Sequence, residues 1–216
     1  GLTRARMDAW AMESHAKALA GRARLMAEIV PLLGVTADAF SRALTLALAT
    51  RAPALVGDIT AANAAVAADG AAFVIVSDRP LGPNPLRIVA GLTRGADPAE
   101  PGLAPVEAMD QVLRAAGIAP SKLHMAEVME AYAAQAMACV AASALDAAIV
   151  NPDGGALARG HPIGASGAIL AVRLFHGLAA GHGLAAIAAA GGLGTALVVV
   201  SAVTVKLLES GYKIRS

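Results

Sequence analysis

The stretch "NPDGGALARGHPIGASGA", residues 151–168, sets Gly154, Gly155, Gly160, Gly164 and Gly167, with Pro152 and Pro162, around one histidine, His161. Glycines offer backbone positions at positive φ without a Cβ penalty, and they let another group approach the main chain closely. Pro162 suits the first turn of a helix, where its missing N–H costs little. The spacing predicts a strand-to-helix corner, with a helix over 165–180 and His161 beside free N–H groups at the positive end of its dipole. An imidazole so placed is equipped to donate to a developing oxyanion or to activate a nucleophile. The same spacing fits a histidine that caps a tight turn and hydrogen-bonds a carbonyl, because glycines around one residue are a weak motif by themselves.

The chain as a whole narrows the choice. It has 216 residues, enough for one large or two small domains with a substantial core. Hydrophobic residues make up 57% and aromatic ones only 3%, so alanine carries much of the mean hydropathy of +0.62. The charge-free run 183–205 is long enough to be tested as a membrane span. Its glycines at Gly191, Gly192 and Gly194 divide it, and two buried strands are predicted instead. Net charge is +1 with basic residues scattered, which excludes an electrostatic footprint for nucleic acid. Cys139 stands alone, so there is no internal disulfide or cysteine-based zinc site, and a reducing, cytoplasmic setting is expected. The start "GLTRARMDAW" has neither a signal-type apolar core nor an initiator Met, and is expected to belong to a processed product, a fragment or the ordered part of something longer.

Apolar periodicity predicts an amphipathic helical stretch over 3–32, broken near Gly21. Thr36 is expected to cap a helix over 37–50. A loop, a short alanine-rich helix and a strand over 72–77 follow. Three prolines and a glycine in "DRPLGPNPLR", 78–87, mark a candidate boundary between units 1–83 and 84–216. Beyond it come strand 86–95, a helix over 106–117 closed by Gly117, strand 123–129, and a helix over 131–145. The glycine stretch and its helix lead to strands 184–190 and 195–205. Alternating strands and helices with nearly continuous apolar strands predict an α/β layered domain.

The residues of 151–168 resemble the C-terminal signature of the thiolase family, N-x-x-G-G-A-[IL]-A-x-G-H-P-x-G-x-S-G. Likeness extends along the chain. "LTRARMDAWAMESHAKALA", "LMAEIVPL", "ITAANAAVAADGAAFVIVSD", "MAEVMEAYAAQAMA" and "AAAGGLGTAL" each resemble a family segment. The resemblance implies a thiolase-like layered α/β fold, of which this chain is the C-terminal half (84–216) plus a remnant of the loop domain and the last strand of the N-terminal domain (1–83). It implies acyl transfer between coenzyme A thioesters, or cleavage of a 3-ketoacyl-CoA, with the CoA thioester as substrate and no tightly bound cofactor or metal. His161 matches the family histidine that activates the acyl-accepting cysteine and helps form an oxyanion hole. Backbone N–H groups at Ala190 and Gly191 fall where that hole is completed. Asn63 and Ala65 fall on the coenzyme A side, although Asn63, like Glu130, also matches a position that ties loops to the sheet. An oligomer, with itself or with another thiolase-fold chain, is expected on the same ground.

Several positions depart from the family pattern. Met129 stands where the family has an asparagine that holds a water, and a thioether cannot do so by donating. Ala188 stands where the family has an acid/base cysteine, whose loss typically costs ~10²–10⁴ in rate. Ala65 replaces a serine that lies against the pantetheine arm, and Val66 replaces a glycine. The half that carries the nucleophilic cysteine is not among these residues. Cys139, inside an alanine-rich helix, is expected to be a small buried hydrophobe. Arg22, Arg24, Arg42 and Arg51 are either phosphate partners or a solvated helix face. His15, His124, His176 and His182 are expected at the surface or at helix ends. Three readings follow: a thiolase-family chain inactive alone, a subunit completed by a cysteine-bearing partner, or a non-catalytic relative that binds acyl-CoA or a protein.

Overall fold

The computed structural model describes residues 1–209; residues 210–216, part of the expected second unit, lie outside the described residues. Helix α1, Arg4–Ala20, is capped by Thr3, whose side chain accepts from the Arg6 N–H, and α2, Arg22–Leu25, continues it past Gly21. Helix α3, Leu46–Arg51, and the small ladder β1, Ala54–Val56, with β2, Ile59–Thr60, complete the first part of the chain.

The remainder alternates. It contains β3 (Leu86–Gly95), α4 (Ala104–Ala116), β4 (Leu123–Val128), α5 (Ala133–Ala142), α6 (Ala156–Arg159), α7 (Ser166–Gly177), β5 (His182–Ala189), β6 (Leu193–Ser201) and α8 (Ala202–Glu209). Gly117 ends α4 in the left-handed region at φ 68°, as a C-terminal glycine should. The sheet runs β3-β6-β5-β4, with β4 and β5 parallel and the other two pairs antiparallel.

Side chains alternate across this sheet with the strand period of two. Ala126, Val128, Leu184, Ala186, Ala196 and Val198 join α4 and α5 in one core. Met125, Ala185 and Val199 join Leu170 and Leu174 of α7 in another. The result is an α/β layered fold with helices on both faces. A third cluster packs Met7 and Ala11 of α1 against Leu44, Ala49, Ala133 and Leu157. Among the described residues no helix is long and apolar enough to cross a membrane, and the run 183–205 folds mainly as β5 and β6.

Four local expectations are corrected. Thr36 caps nothing: 37–45 is irregular, and Thr45 caps α3 by accepting from the Leu48 N–H at 3.3 Å. Tertiary bonds explain this, since the Arg42 N–H donates to His15 Nδ1 at 3.3 Å and the Ser41 hydroxyl to the Ala158 carbonyl at 3.0 Å. The alanine-rich segment after Gly57 is not helical, because it is clamped alongside 131–133. The Ala65 N–H donates to the Ala131 carbonyl and the Ala133 N–H to that of Asn63, both at 2.9 Å. Residues 72–76 make no ladder among the described residues, and Phe73, Ile75 and Val76 are 89%, 84% and 72% exposed. Finally, β6 stops at Ser201 and 202–209 are helical, where one longer strand was expected.

Candidate active site

The quoted stretch is built outward from Asn151, a non-glycine residue at φ 45°. Its main-chain N–H donates to the Ala126 carbonyl at 2.8 Å. Its side-chain amide accepts from the Val128 N–H and donates to the Val128 carbonyl, each at 2.9 Å. One side chain thus imitates a neighbouring strand and anchors the end of β4, just before Met129. Nothing in the spacing of the motif announced this role.

The glycines that follow admit α1. A Cβ on Gly154, at φ +74°, would lie 2.8 Å from the Ala18 Cβ. Beside it, the Gly155 N–H donates to Ser14 Oγ at 2.9 Å, and the Ser14 hydroxyl donates to Glu130 Oε2 at 2.8 Å. Glu130, buried, also accepts from Trp10 Nε1 at 3.0 Å and from the Leu157 N–H at 3.3 Å.

Charged groups surround this junction. Arg173 of α7, 2% exposed, reaches Glu28 at 2.9 Å and Asp153 at 3.2 Å, and its Nε lies 3.9 Å from Glu127. Arg159 lies 3.7 Å from Glu28, and Arg24 pairs with Asp153. Burial alone would raise the Asp153 carboxyl, but Arg24 and Arg173 outweigh it and hold it below the usual carboxylate range. Glu127 is fully buried with neither oxygen hydrogen-bonded, and burial pushes it up to about 7 against the pull of Arg173 and Arg159. Arg24 is therefore an ion-pair partner, while Arg42 stacks 4.2 Å above the Phe40 ring.

His161 follows Gly160, whose φ of +95° turns the chain. The His161 N–H donates to the Val66 carbonyl at 2.8 Å, in a parallel bridge to Ala67. Pro162 is not the first helical residue: it opens a turn whose carbonyl receives the Ala165 and Ser166 N–H groups, and α7 begins at Ser166. The half-buried imidazole places Nδ1 2.7 Å from Ser166 Oγ, and burial lowers its pKa, favouring the neutral ring near pH 7.

Met129 is 3% exposed and its N–H donates to the Ala186 carbonyl at 2.9 Å. Its side chain belongs to the buried cluster that includes Ala156 and Leu170, against which partly buried Ala65 and Ile187 pack. It lies just past β4, at the same end of the sheet as Ala188 on the parallel strand β5. Ala190 and Gly191 are exposed in the turn between β5 and β6, Gly191 at φ 82°. Asn63 is 1% exposed and its amide is fully engaged, accepting from the Thr60 N–H and donating to Asp8 and to the Asp58 carbonyl. Cys139 is buried, donates to the Gly102 carbonyl at 3.2 Å, and has its thiol pKa raised by burial. His15 corrects an expectation: it is 1% exposed, and burial followed by Arg42 lowers it to about 4. A groove of about 590 Å³ between α4 and the end of α5 contains none of these site residues.

The glycine loop anchored on β4, the histidine that follows it and the layered α/β frame have counterparts in known proteins. Residues 84–201 match the family described as thiolase, C-terminal domain. An acetyl-CoA acetyltransferase of Pseudomonas aeruginosa is 40% identical over 220 residues, covering 91% of this chain and 56% of that protein. The Bacillus anthracis acetyl-CoA acetyltransferase structure superposes with a TM-score of 0.83 at 29% identity, over 93% of this chain and 56% of that one. Human mitochondrial 3-ketoacyl-CoA thiolase, solved in complex with CoA, gives 0.82 at 26%, over 93% and 55%. The chain belongs to the thiolase family, and it spans just over half the length of these relatives.

Proposed function

We propose that this chain is the C-terminal part of a thiolase-type acyltransferase, acting on coenzyme A thioesters, with His161 as its surviving reactive side chain. The observation that carries the reading is the setting of His161: a half-buried imidazole just before α7, its pKa lowered by burial, its main chain tied to Val66 and its Nδ1 engaged by Ser166. Ala190 and Gly191 offer backbone N–H groups at the exposed turn beyond β5, which need no side chain to stabilise an oxyanion. Asn63 and Ala65 belong to the coenzyme A side of the site, Asn63 by holding the loop. The chain divides at about residue 83 into a loop-domain remnant and the C-terminal domain.

With Ala188 and Met129 in place of the family's acid/base cysteine and water-holding asparagine, the chain alone does not turn over. Cys139 is buried inside α5 and does not substitute. The second reading is a non-catalytic thiolase-like subunit that binds acyl-CoA or a partner chain; the thioether of Met129, packed among apolar side chains, favours it. Both readings expect an oligomer and a compartment where thiols stay reduced.

Thiolysis of acetoacetyl-CoA by CoA tests the pair. The expected result is no turnover by the purified chain, together with calorimetrically detectable CoA binding. Turnover by the chain alone overturns the claim of inactivity. Turnover that appears only with an added cysteine-bearing thiolase half, and vanishes in His161→Gln, selects the acyltransferase reading; CoA binding without any turnover selects the other.

A further inference from the structure

We propose that Ser166 sets the tautomer of His161, holding the imidazole as the Nδ1–H form and leaving Nε2 as a bare acceptor. Ser166 is the first residue of α7 and is 3% exposed. Its Oγ lies 3.0 Å from the Pro162 carbonyl oxygen and 2.7 Å from His161 Nδ1. A serine hydroxyl has one proton to give, and a carbonyl has none. The 3.0 Å contact is attractive only with the hydroxyl proton on that line; otherwise two sets of oxygen lone pairs face each other.

A bond from a helical serine back to the carbonyl four residues earlier is a habitual one for this side chain. The same carbonyl also takes the Ala165 and Ser166 N–H groups at 2.8 and 2.9 Å. With its proton so used, Oγ presents lone pairs to Nδ1, and 2.7 Å is a hydrogen bond only if Nδ1 carries the hydrogen. A neutral imidazole has a single N–H, so Nε2 is unprotonated. Burial lowers the pKa of the ring, and the positive end of the α7 dipole acts in the same direction.

Ser166 is thus a positioning residue: it acts on the reaction through His161. This consequence rests on the acyl-transfer reading. There, Nε2 begins as a proton acceptor: the S–H bond of a thiol nucleophile breaks, its proton forms an N–H bond at Nε2, and the sulfur keeps the electron pair. Only then does Nε2 become a donor to an oxyanion. Base and oxyanion donor are successive states of one atom.

The test needs no acyl substrate. Long-range proton–nitrogen correlations of the uniformly ¹⁵N-labelled chain at pH 8 distinguish the two tautomers of each of the five histidines. His161 is assigned by the signals lost in His161→Gln. The expected pattern is Nδ1 protonated and Nε2 bare, shifting predominantly to the Nε2–H form in Ser166→Ala and staying as in the unaltered chain in Ser166→Thr. An Nε2–H pattern in the unaltered chain overturns the proposal, as does an Nδ1–H pattern that survives Ser166→Ala. If Ser166→Ala does not fold, the unaltered chain decides by itself. A chain with the Nδ1–H tautomer that never supports turnover with a cysteine-bearing half sinks the acyl-transfer reading and leaves the tautomer assignment standing.

Discussion

At position 160 the chain turns at φ +95°, and a Cβ there would lie 2.7 Å from the Ala68 Cβ. That turn delivers the His161 N–H to the Val66 carbonyl. Gly160→Ala forces both a disfavoured backbone angle and a methyl clash, at a cost of about 2 kcal/mol. A lowered urea midpoint with an unchanged slope is the expected measurement. His161 and its glycine surroundings were legible in the sequence, because those residue types have few other uses in combination. The buried state of His15 was not. It depends on the 37–45 segment folding over α1, which no spacing within α1 encodes.

Besides the apolar clusters, buried polar groups join α1 to the end of β4 and to α6. Ser14 of α1 links Glu130, beyond β4, to the Gly155 N–H at the start of α6. Ser14→Ala leaves that N–H without its partner and Glu130 Oε2 with only the Leu157 N–H, and about 2 kcal/mol of stability is expected to be lost in chemical denaturation. Glu127 of β4 works through pH. It faces Arg173 of α7, Arg159 of α6, Glu28 and Glu130. With its folded pKa pushed up to about 7, its stabilising contribution is complete below the ordinary carboxylate pKa and is lost as pH rises through 7. Glu127→Gln removes this dependence. From pH 5 to pH 8 the unaltered chain should lose about 2 kcal/mol relative to the variant, measured by denaturation at each pH. His15, depressed by burial, acts oppositely by losing stability as pH falls through about 4, but it is common to both proteins and cancels in the difference.

At the scale of the molecule, residues 72–76 are the outlier. They have the β-branched, aromatic composition of a buried strand, yet Phe73, Ile75 and Val76 are largely exposed and unpaired among the described residues. Exposed apolar segments of this type seek a pairing strand. The chain is therefore expected to self-associate as its concentration rises. Phe73→Asp with Ile75→Asp should shift sedimentation toward the monomer and leave the thermal midpoint unchanged; association that persists undiminished would place the contact elsewhere.

What the sequence determined by itself were the elements whose apolar pattern closes on their own chain. These are the strands β3, β4, β5 and β6 up to Ser201, which form one sheet, and the α4 helix with its Gly117 stop, which packs on it. The turn around His161 was equally explicit, with Gly154 and Gly160 at positive φ on either side of α6. Tertiary structure decided the segments that borrow their hydrogen bonds. The 37–45 stretch donates to α1 and α6, the 63–65 stretch pairs with 131–133, and the Asn151 amide completes β4. Local propensity changes a residue's free energy by at most ~1 kcal/mol outside proline. A buried backbone group left without a partner costs as much or more, so where the two conflict, the partner's position sets the conformation.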